Sequence, residues 1–407
     1  MAGHMSHAVF VQSIEKNLAY WRAHMGKHET EAIMFLEDNQ HNLYQTLQVG
    51  LRFPETQNAT TVLVLDLYEF IESRHHTREW IPILITALSA SIPPAERCRL
   101  LNHLGYTHAY AQKFPEATQY HQQALTLSQE IGNAREELNG YFGLGHVQFY
   151  QYEYAQANRH VQMALDRFSQ VPPHPLPHFD QAKLAAIYSM LGIIAHVQGD
   201  YDTAEMQLLR AVEIRKTHPN REMYAHNLRN LALTYSAQQK KEVAHKIYQD
   251  ALAIHAQTGN IYAQINLLND LGTMYFQQRQ YDLAEETFQK VDQGYLRRIG
   301  DLAMLASLEN NLGNVYLQQG RLTLAQQYLT QVIEHWRELN DDLNLANSLC
   351  DLAETYIKLN ELVKALPLYL EAIPILTRYP QDAWARRLRE NALAHARKAF
   401  PDHPAFV

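Results

Sequence analysis

The sequence predicts an all-α chain: a right-handed superhelical α-solenoid of stacked helical hairpins. Three observations predict it. A small residue recurs seven times, at Gly105, Gly145, Gly192, Ala232, Gly272, Gly313 and Ala353, with spacings of 40, 47, 40, 40, 41 and 40. Twelve residues after each comes an alanine (Ala117, Ala157, Ala204, Ala244, Ala284, Ala325, Ala365), and seven further on Ala124, Ala164, Ala211, Ala251, Val291, Val332 or Ala372. Between these positions apolar residues recur at helical spacing, as in Leu308, Leu312, Val315 and Tyr316 followed by Leu324, Tyr328, Leu329 and Val332. A fixed period of this length is the signature of a solenoid. Stacked hairpins of this kind present surfaces far more often than active sites.

The elements follow in order. Met1-Ala-Gly-His-Met5 reads as a cloning scar, so the chain is expected to be a piece of something longer. Residues 6–60 read as an N-terminal helical segment, with helices over Ser6–His24 and Thr30–Leu51 and a loop over Asn58–Thr61. Residues 61–92 read as a degenerate hairpin in which Tyr68 replaces the small residue, Trp80 replaces the first alanine and Ala87 keeps the second. Residues 93–378 hold seven repeats, each a helix A, a turn with an aromatic or leucine plug, and a helix B. Gly132-Asn133, Gly259-Asn260 and Gly300-Asp301 each place a helix stop before an N-cap. Asn340-Asp341 and Pro219-Asn220 play a similar part, and Pro93-Pro94 opens the first repeat. The run from Val171 to Asp180 adds about seven residues to the period and, with four prolines, reads as stiff and non-helical. Residues 379–407 read as an Arg-rich capping helix over Asp382–Phe400, because a terminal repeat needs a polar outer face.

Composition excludes several classes. The net charge of -8 and a pI near 6.3 argue against direct nucleic-acid binding. Two distant cysteines, Cys98 and Cys350, make neither a disulfide framework nor a zinc site and fit a reducing, cytoplasmic setting. No apolar run is long enough for a membrane span, and no membrane partner is expected. No cofactor or metal is expected either. His174 and His178 are spaced like ligands but lack Cys or acidic companions. Phosphate-loop, His-Glu-x-x-His and Gly-x-Ser-x-Gly patterns are all missing, and the 22 histidines scatter without forming a catalytic set.

The small-x11-Ala-x6-Ala pattern over residues 93–378 resembles the tetratricopeptide repeat. Its long period resembles the subclass found in kinesin light chains, bacterial peptide-pheromone receptors and regulatory ATPases. Two helices A, His226-Asn-Leu-Arg-Asn-Leu-Ala-Leu-Thr-Tyr235 and Glu309-Asn-Asn-Leu-Gly-Asn-Val-Tyr316, are close to the kinesin light-chain style. The segment Phe35-Leu-Glu-Asp-Asn-Gln-His-Asn-Leu-Tyr-Gln-Thr-Leu47, with the hairpin running from Leu67 to Leu88, is similar to a stretch of bacterial STAND-class signalling ATPases. Thr46 and His75-His76 depart from that pattern. The resemblance implies a non-enzymatic sensor of protein or peptide, cut away from its ATPase. A free-standing scaffold in the kinesin light-chain manner is the alternative, and homo-oligomerisation stays open. A hydrolase would need turnover that this sequence does not lead one to expect.

Helix A lines the concave face in such a fold, and counting outward from the small residues gives the candidate peptide-binding set: Asn102, Tyr106, Asn139, His146, Arg229, Asn266, Asn269, Asn310, Asn314 and Asn347. Asparagine dominates it, and its amide offers a donor and an acceptor on one short arm. In related peptide-binding repeats such asparagines hold a peptide backbone. The alternative is that they bond neighbouring helices or water. Arg229 and Arg99 are candidates for holding an acidic group.

Overall fold

Among the described residues the chain forms twenty α-helices and no strand. The computed structural model describes residues 7–25, 35–36, 38–68, 77–171, 177–380 and 382–406. Two compact units divide it, Met1–Ala244 and His245–Val407.

The first unit opens with α1 (His7–Met25), α2 (Gln40–Gly50), α3 (Pro54–Asp66) and α4 (Thr77–Ser89). Ile14, Leu18, Trp21, Leu43, Leu47, Leu63, Trp80 and Leu84 form their shared core. The loop expected over Asn58–Thr61 is instead the middle of α3. Pro54 occupies the first turn, where its missing N–H leaves nothing unpaired. The Thr56 hydroxyl donates to the Gly50 carbonyl at 2.6 Å and the Thr60 hydroxyl to Thr56 at 2.7 Å. Hydroxyls folded back onto carbonyls let Thr56 and Thr60 be fully buried, and Thr61 is buried beside them. The boundary expected between residues 60 and 61 therefore falls inside a helix. The degenerate hairpin is described in part: Tyr68, Trp80 and Ala87 are all buried, and residues 69–76, with His75-His76, lie outside the described residues.

Three hairpins follow, α5 (Pro94–Tyr110) with α6 (Phe114–Glu130), α7 (Ala134–Tyr150) with α8 (Tyr154–Phe168), and α9 (Pro177–Val197) with α10 (Tyr201–Arg215); then come α11 (Arg221–Ala237) and α12 (Lys241–Thr258), in which the boundary between the units falls. The alanine ladder is buried throughout. At its glycines two helices nearly touch: a Cβ on Gly192 would stand 2.6 Å from Leu208 Cγ and 3.2 Å from the Ala204 carbonyl. The proline-rich connection is shorter than expected, because α9 begins at Pro177, again a first-turn proline. Residues 172–176, His174 among them, and the His178 side chain lie outside the described residues.

The second unit holds α13 (Ile261–Gln277), α14 (Tyr281–Gln289), α15 (Gln293–Ile299), α16 (Leu302–Gln318), α17 (Leu322–Leu339), α18 (Asp342–Lys358), α19 (Leu362–Thr377) and α20 (Ala383–Ala399). Helix B of the fifth repeat is thus broken into α14 and α15. The repeat is one residue longer than its neighbours, and the excess lies after Val291. One extra residue turns everything beyond it by about 100° around a helix. The chain resets its phase by stopping and recapping, the Asp292 carboxylate accepting from the Tyr295 N–H at 2.9 Å. Val291 stays buried. In α20, Ala385, Ala392 and Ala396 face the core while Arg386, Arg387 and Arg397 are exposed, and Phe406 folds back beside Tyr369.

Every expected interhelical cap forms: Asn133, Asn220, Asn260, Asp301 and Asp341 each accept from the backbone N–H three residues on. Each turn between helix A and helix B also carries a left-handed residue seven positions after the ladder's small residue: Gln112, Tyr152, Gly199, Gln239, Arg279, Gly320 and Asn360. A cation placed just after some of these turns ties adjoining repeats together. Lys240 pairs with Glu205 at 2.7 Å over the Tyr235 ring, and Arg321 pairs with Glu285 at 2.8 Å over the Tyr316 ring.

Candidate functional site

The predicted residues lie on the helices A, and Asn102, Tyr106, Asn269, Asn310 and Asn314 bond to the next helix A. In the first unit Asn102 on α5 is fully buried. Its amide donates to Glu136 Oε2 on α7 at 3.0 Å, and its Oδ1 accepts from His121 Nδ1 on α6 at 3.1 Å. Both halves of the amide are used, so Asn102 serves packing. Tyr106 donates its hydroxyl to the Asn139 carbonyl at 3.2 Å. The Asn139 amide goes to Glu136 Oε2 at 3.3 Å. His146 stands among the rings of Tyr106, Tyr110 and Tyr150, with centroids 5.9, 5.5 and 4.8 Å away. Burial, with the Lys183 ammonium nearby, pushes its imidazole down to about 4. His121 is pushed down to about 3, by burial first and by His146 and Lys183 after it. Arg99 and Arg229 are partly buried on α5 and α11.

In the second unit the asparagines are partly exposed and half engaged. Asn269 Oδ1 accepts from Asn311 Nδ2 at 2.9 Å, and Asn310 Oδ1 accepts from the Ser348 hydroxyl at 2.7 Å. Asn314 and Asn347 both donate to one oxygen, Asp351 Oδ2, at 2.9 and 3.2 Å. Asn266 donates to the Tyr262 carbonyl one turn back. Burial raises Asp351 to about 7, and nearby Glu354 adds to the effect while the Asn314 amide opposes it. The structure therefore brings Asn310, Asn314 and Asn347 together in one strip along α16 and α18. Asn269 joins that strip through Asn311. Asn102 lies in the first unit's interior.

One repeat position escapes a count made from the small residues. Two places before each of them, repeats four to seven carry Asn230, Asp270, Asn311 and Asp351. Asn230 donates to the Ser189 hydroxyl of the preceding repeat at 3.5 Å, as Asn311 does to Asn269. The same 40-residue period that located the ladder would have found them.

Burial pushes both thiols up, Cys98 to about 12. Among the described residues no three His, Cys, Asp or Glu side chains are arranged to hold a metal ion, and no helix is long and apolar enough to cross a membrane.

The sequence model of the Tetratricopeptide repeat matches residues 96–170, 183–257 and 304–378, together more than half of the chain. The chain belongs to the tetratricopeptide repeat family. The three matched stretches are repeats one and two, three and four, and six and seven of this tetratricopeptide repeat protein. The unmatched fifth is the one whose helix B breaks. No curated protein matches the sequence. Among solved structures it is similar to a STAND protein with a tetratricopeptide repeat sensor from Pyrococcus horikoshii, with a TM-score of 0.63 and 14% identity over 88% of this chain and 54% of that one. It thus spans about half the length of that ATPase. It is also similar to a Rap protein complexed with competence and sporulation factor (TM-score 0.59, 14% identity, 91% of this chain and 99% of that one) and to NprR in complex with its cognate peptide (TM-score 0.51, 15% identity, 75% and 85%). At these identities the likeness is one of fold.

Proposed function

We propose that the helix A face of this repeat protein binds an extended peptide or protein segment, that it does so without catalysis, and that the chain is the ligand-sensing part of a STAND-type signalling ATPase. One observation carries the binding: the free halves of the asparagine amides. Asn269 and Asn310 spend their oxygens on neighbours and keep N–H donors, while Asn314 and Asn347 spend N–H groups and keep oxygens. Asn310 and Asn314 stand one helical turn apart, so a donor and an acceptor meet a passing backbone in succession. The neighbouring bonds fix each amide's orientation, which lowers the entropy cost of binding. The N-terminal motif around Phe35–Leu47 and the likeness to the Pyrococcus sensor support the STAND context. NprR, which shares the fold, was solved with a peptide.

Fluorescence polarisation with octapeptides picked by the full chain from a bead library tests the binding. Asn310→Ala plus Asn314→Ala is expected to weaken every selected peptide at least tenfold while helicity holds. Unchanged affinity would make the amides structural only. The STAND context stands if the gene encodes a nucleotide-binding motif upstream, and falls if the reading frame starts near Ser6.

A further inference from the structure

Asp351 is a carboxylate the fold does not need. Its structural task is to accept the amides of Asn314 and Asn347 on Oδ2 and so join α16 to α18. At the same place repeat five carries Asp270, whereas repeats four and six carry Asn230 and Asn311, neutral side chains whose bonds also join neighbouring helices A. An amide oxygen would accept at position 351 just as well, without the cost of holding a charge away from water. Around Asp351 the described residues offer no cation. Lys358 is spent on Glu354 at 3.1 Å, and that carboxylate also faces His395 at 3.8 Å. Both hydrogen bonds to the Asp351 carboxylate fall on Oδ2, which leaves Oδ1 for another donor.

We propose that Asp351 anchors a cationic group of the bound ligand, the guanidinium or ammonium of a basic residue or the N-terminal ammonium of a peptide. The proposal rests on the peptide-binding reading above and narrows it. The ligand's backbone runs along Asn310, Asn314 and Asn347, and its cation pairs with a carboxylate that among the described residues meets amides and no cation. Two fixed amides on Oδ2 hold the carboxylate rigid, so the cation meets a preorganised acceptor. Burial resists ionisation of Asp351, and an arriving cation reverses that by favouring the charged form.

The test uses the full chain and random octapeptide libraries on beads, one with free and one with acetylated N-termini. Wild-type protein is expected to select peptides with Lys or Arg at one fixed position in both libraries, or peptides from the free library alone if the N-terminal ammonium is the cation. Asp351→Asn, which keeps an acceptor, is expected to lose that preference while still selecting peptides. Asp351→Glu is expected to restore it in part. A wild-type selection without basic or N-terminal preference, or a preference unchanged in Asp351→Asn, overturns the Asp351 proposal and leaves peptide binding standing. Recovery of no peptide from either library overturns both.

Discussion

Asn102 gives its amide to Glu136 at 3.0 Å and takes a hydrogen from His121 at 3.1 Å, so one buried side chain joins three helices of two repeats. Removing it takes one of two donors from a buried carboxylate and the acceptor from a buried imidazole at once. Asn102→Ala is expected to destabilise the chain by about 2–3 kcal/mol. Urea unfolding with an unchanged m-value measures this. Peptide affinity, if the second unit's asparagines carry it, should not move.

His121 and His146 are held near 3 and 4, below the ordinary imidazole value of 6.5. Between about pH 6.5 and 4 the unfolded chain binds more protons than the folded one. Stability is therefore full above pH 6.5 and is lost as pH falls through that window. Thermal melts at pH 7.5, 6.0 and 4.5 should show the decline, and His146→Gln should make it shallower. A flat profile in the parent chain would remove this account.

Asp351 runs the other way. Its folded value, about 7, lies above the ordinary 3.8, so its protonated form favours the folded state and that contribution fades as pH rises through 7. Asp351→Asn is expected to raise stability at pH 8 by on the order of 2 kcal/mol and to change little at pH 4. Paired denaturation curves at the two pH values decide it.

The left-handed turn residue offers a backbone test. Gly199 and Gly320 have φ of 82° and 77°, and nothing lies within 4 Å of an added Cβ. Gly199→Ala should cost about 1 kcal/mol from backbone strain alone, and Gln239→Gly should gain up to about 1 kcal/mol at φ 62°. Equal stability of these variants would mean the turn relaxes out of that region.

Gly192 tests packing in place of strain. A methyl there meets Leu208 and the Ala204 carbonyl, so Gly192→Ala should destabilise by about 1–3 kcal/mol. Ala232 and Ala353 occupy the same ladder place, which shows that other repeats have room for a methyl.

Much of the fold was legible because close helix crossings demand small residues at fixed intervals, and those residues are visible in the sequence. The caps at Asn133, Asn220, Asn260, Asp301 and Asp341 were legible for the same reason: a short polar side chain is the cheapest partner for an open N–H. Asn58–Thr61 was not, because polar residues such as Thr60, whose hydroxyl bonds back to its own helix, look like loop residues until their burial is seen. The site was legible as a face but not as a seam. Helical counting gives the direction of Asn269 or Asn310, whereas their partners Asn311 and Ser348 sit on the next helix, some forty residues away. Nor does counting distinguish a buried clamp such as Asn102 from a half-free amide such as Asn314.

The invariant turn between helix A and helix B has a consequence for how this chain tolerates change. From small residue to left-handed residue the count is seven in all seven repeats, whereas the excess residues fall elsewhere, after Phe168 and after Val291, where helix B hands over to the next helix A. One set of connections is thus a gauge and the other is slack. Foreign loops, tags or reporter segments should be accepted in the connections after helix B, near 171–176 or Gly300, and rejected at the turns that close each hairpin.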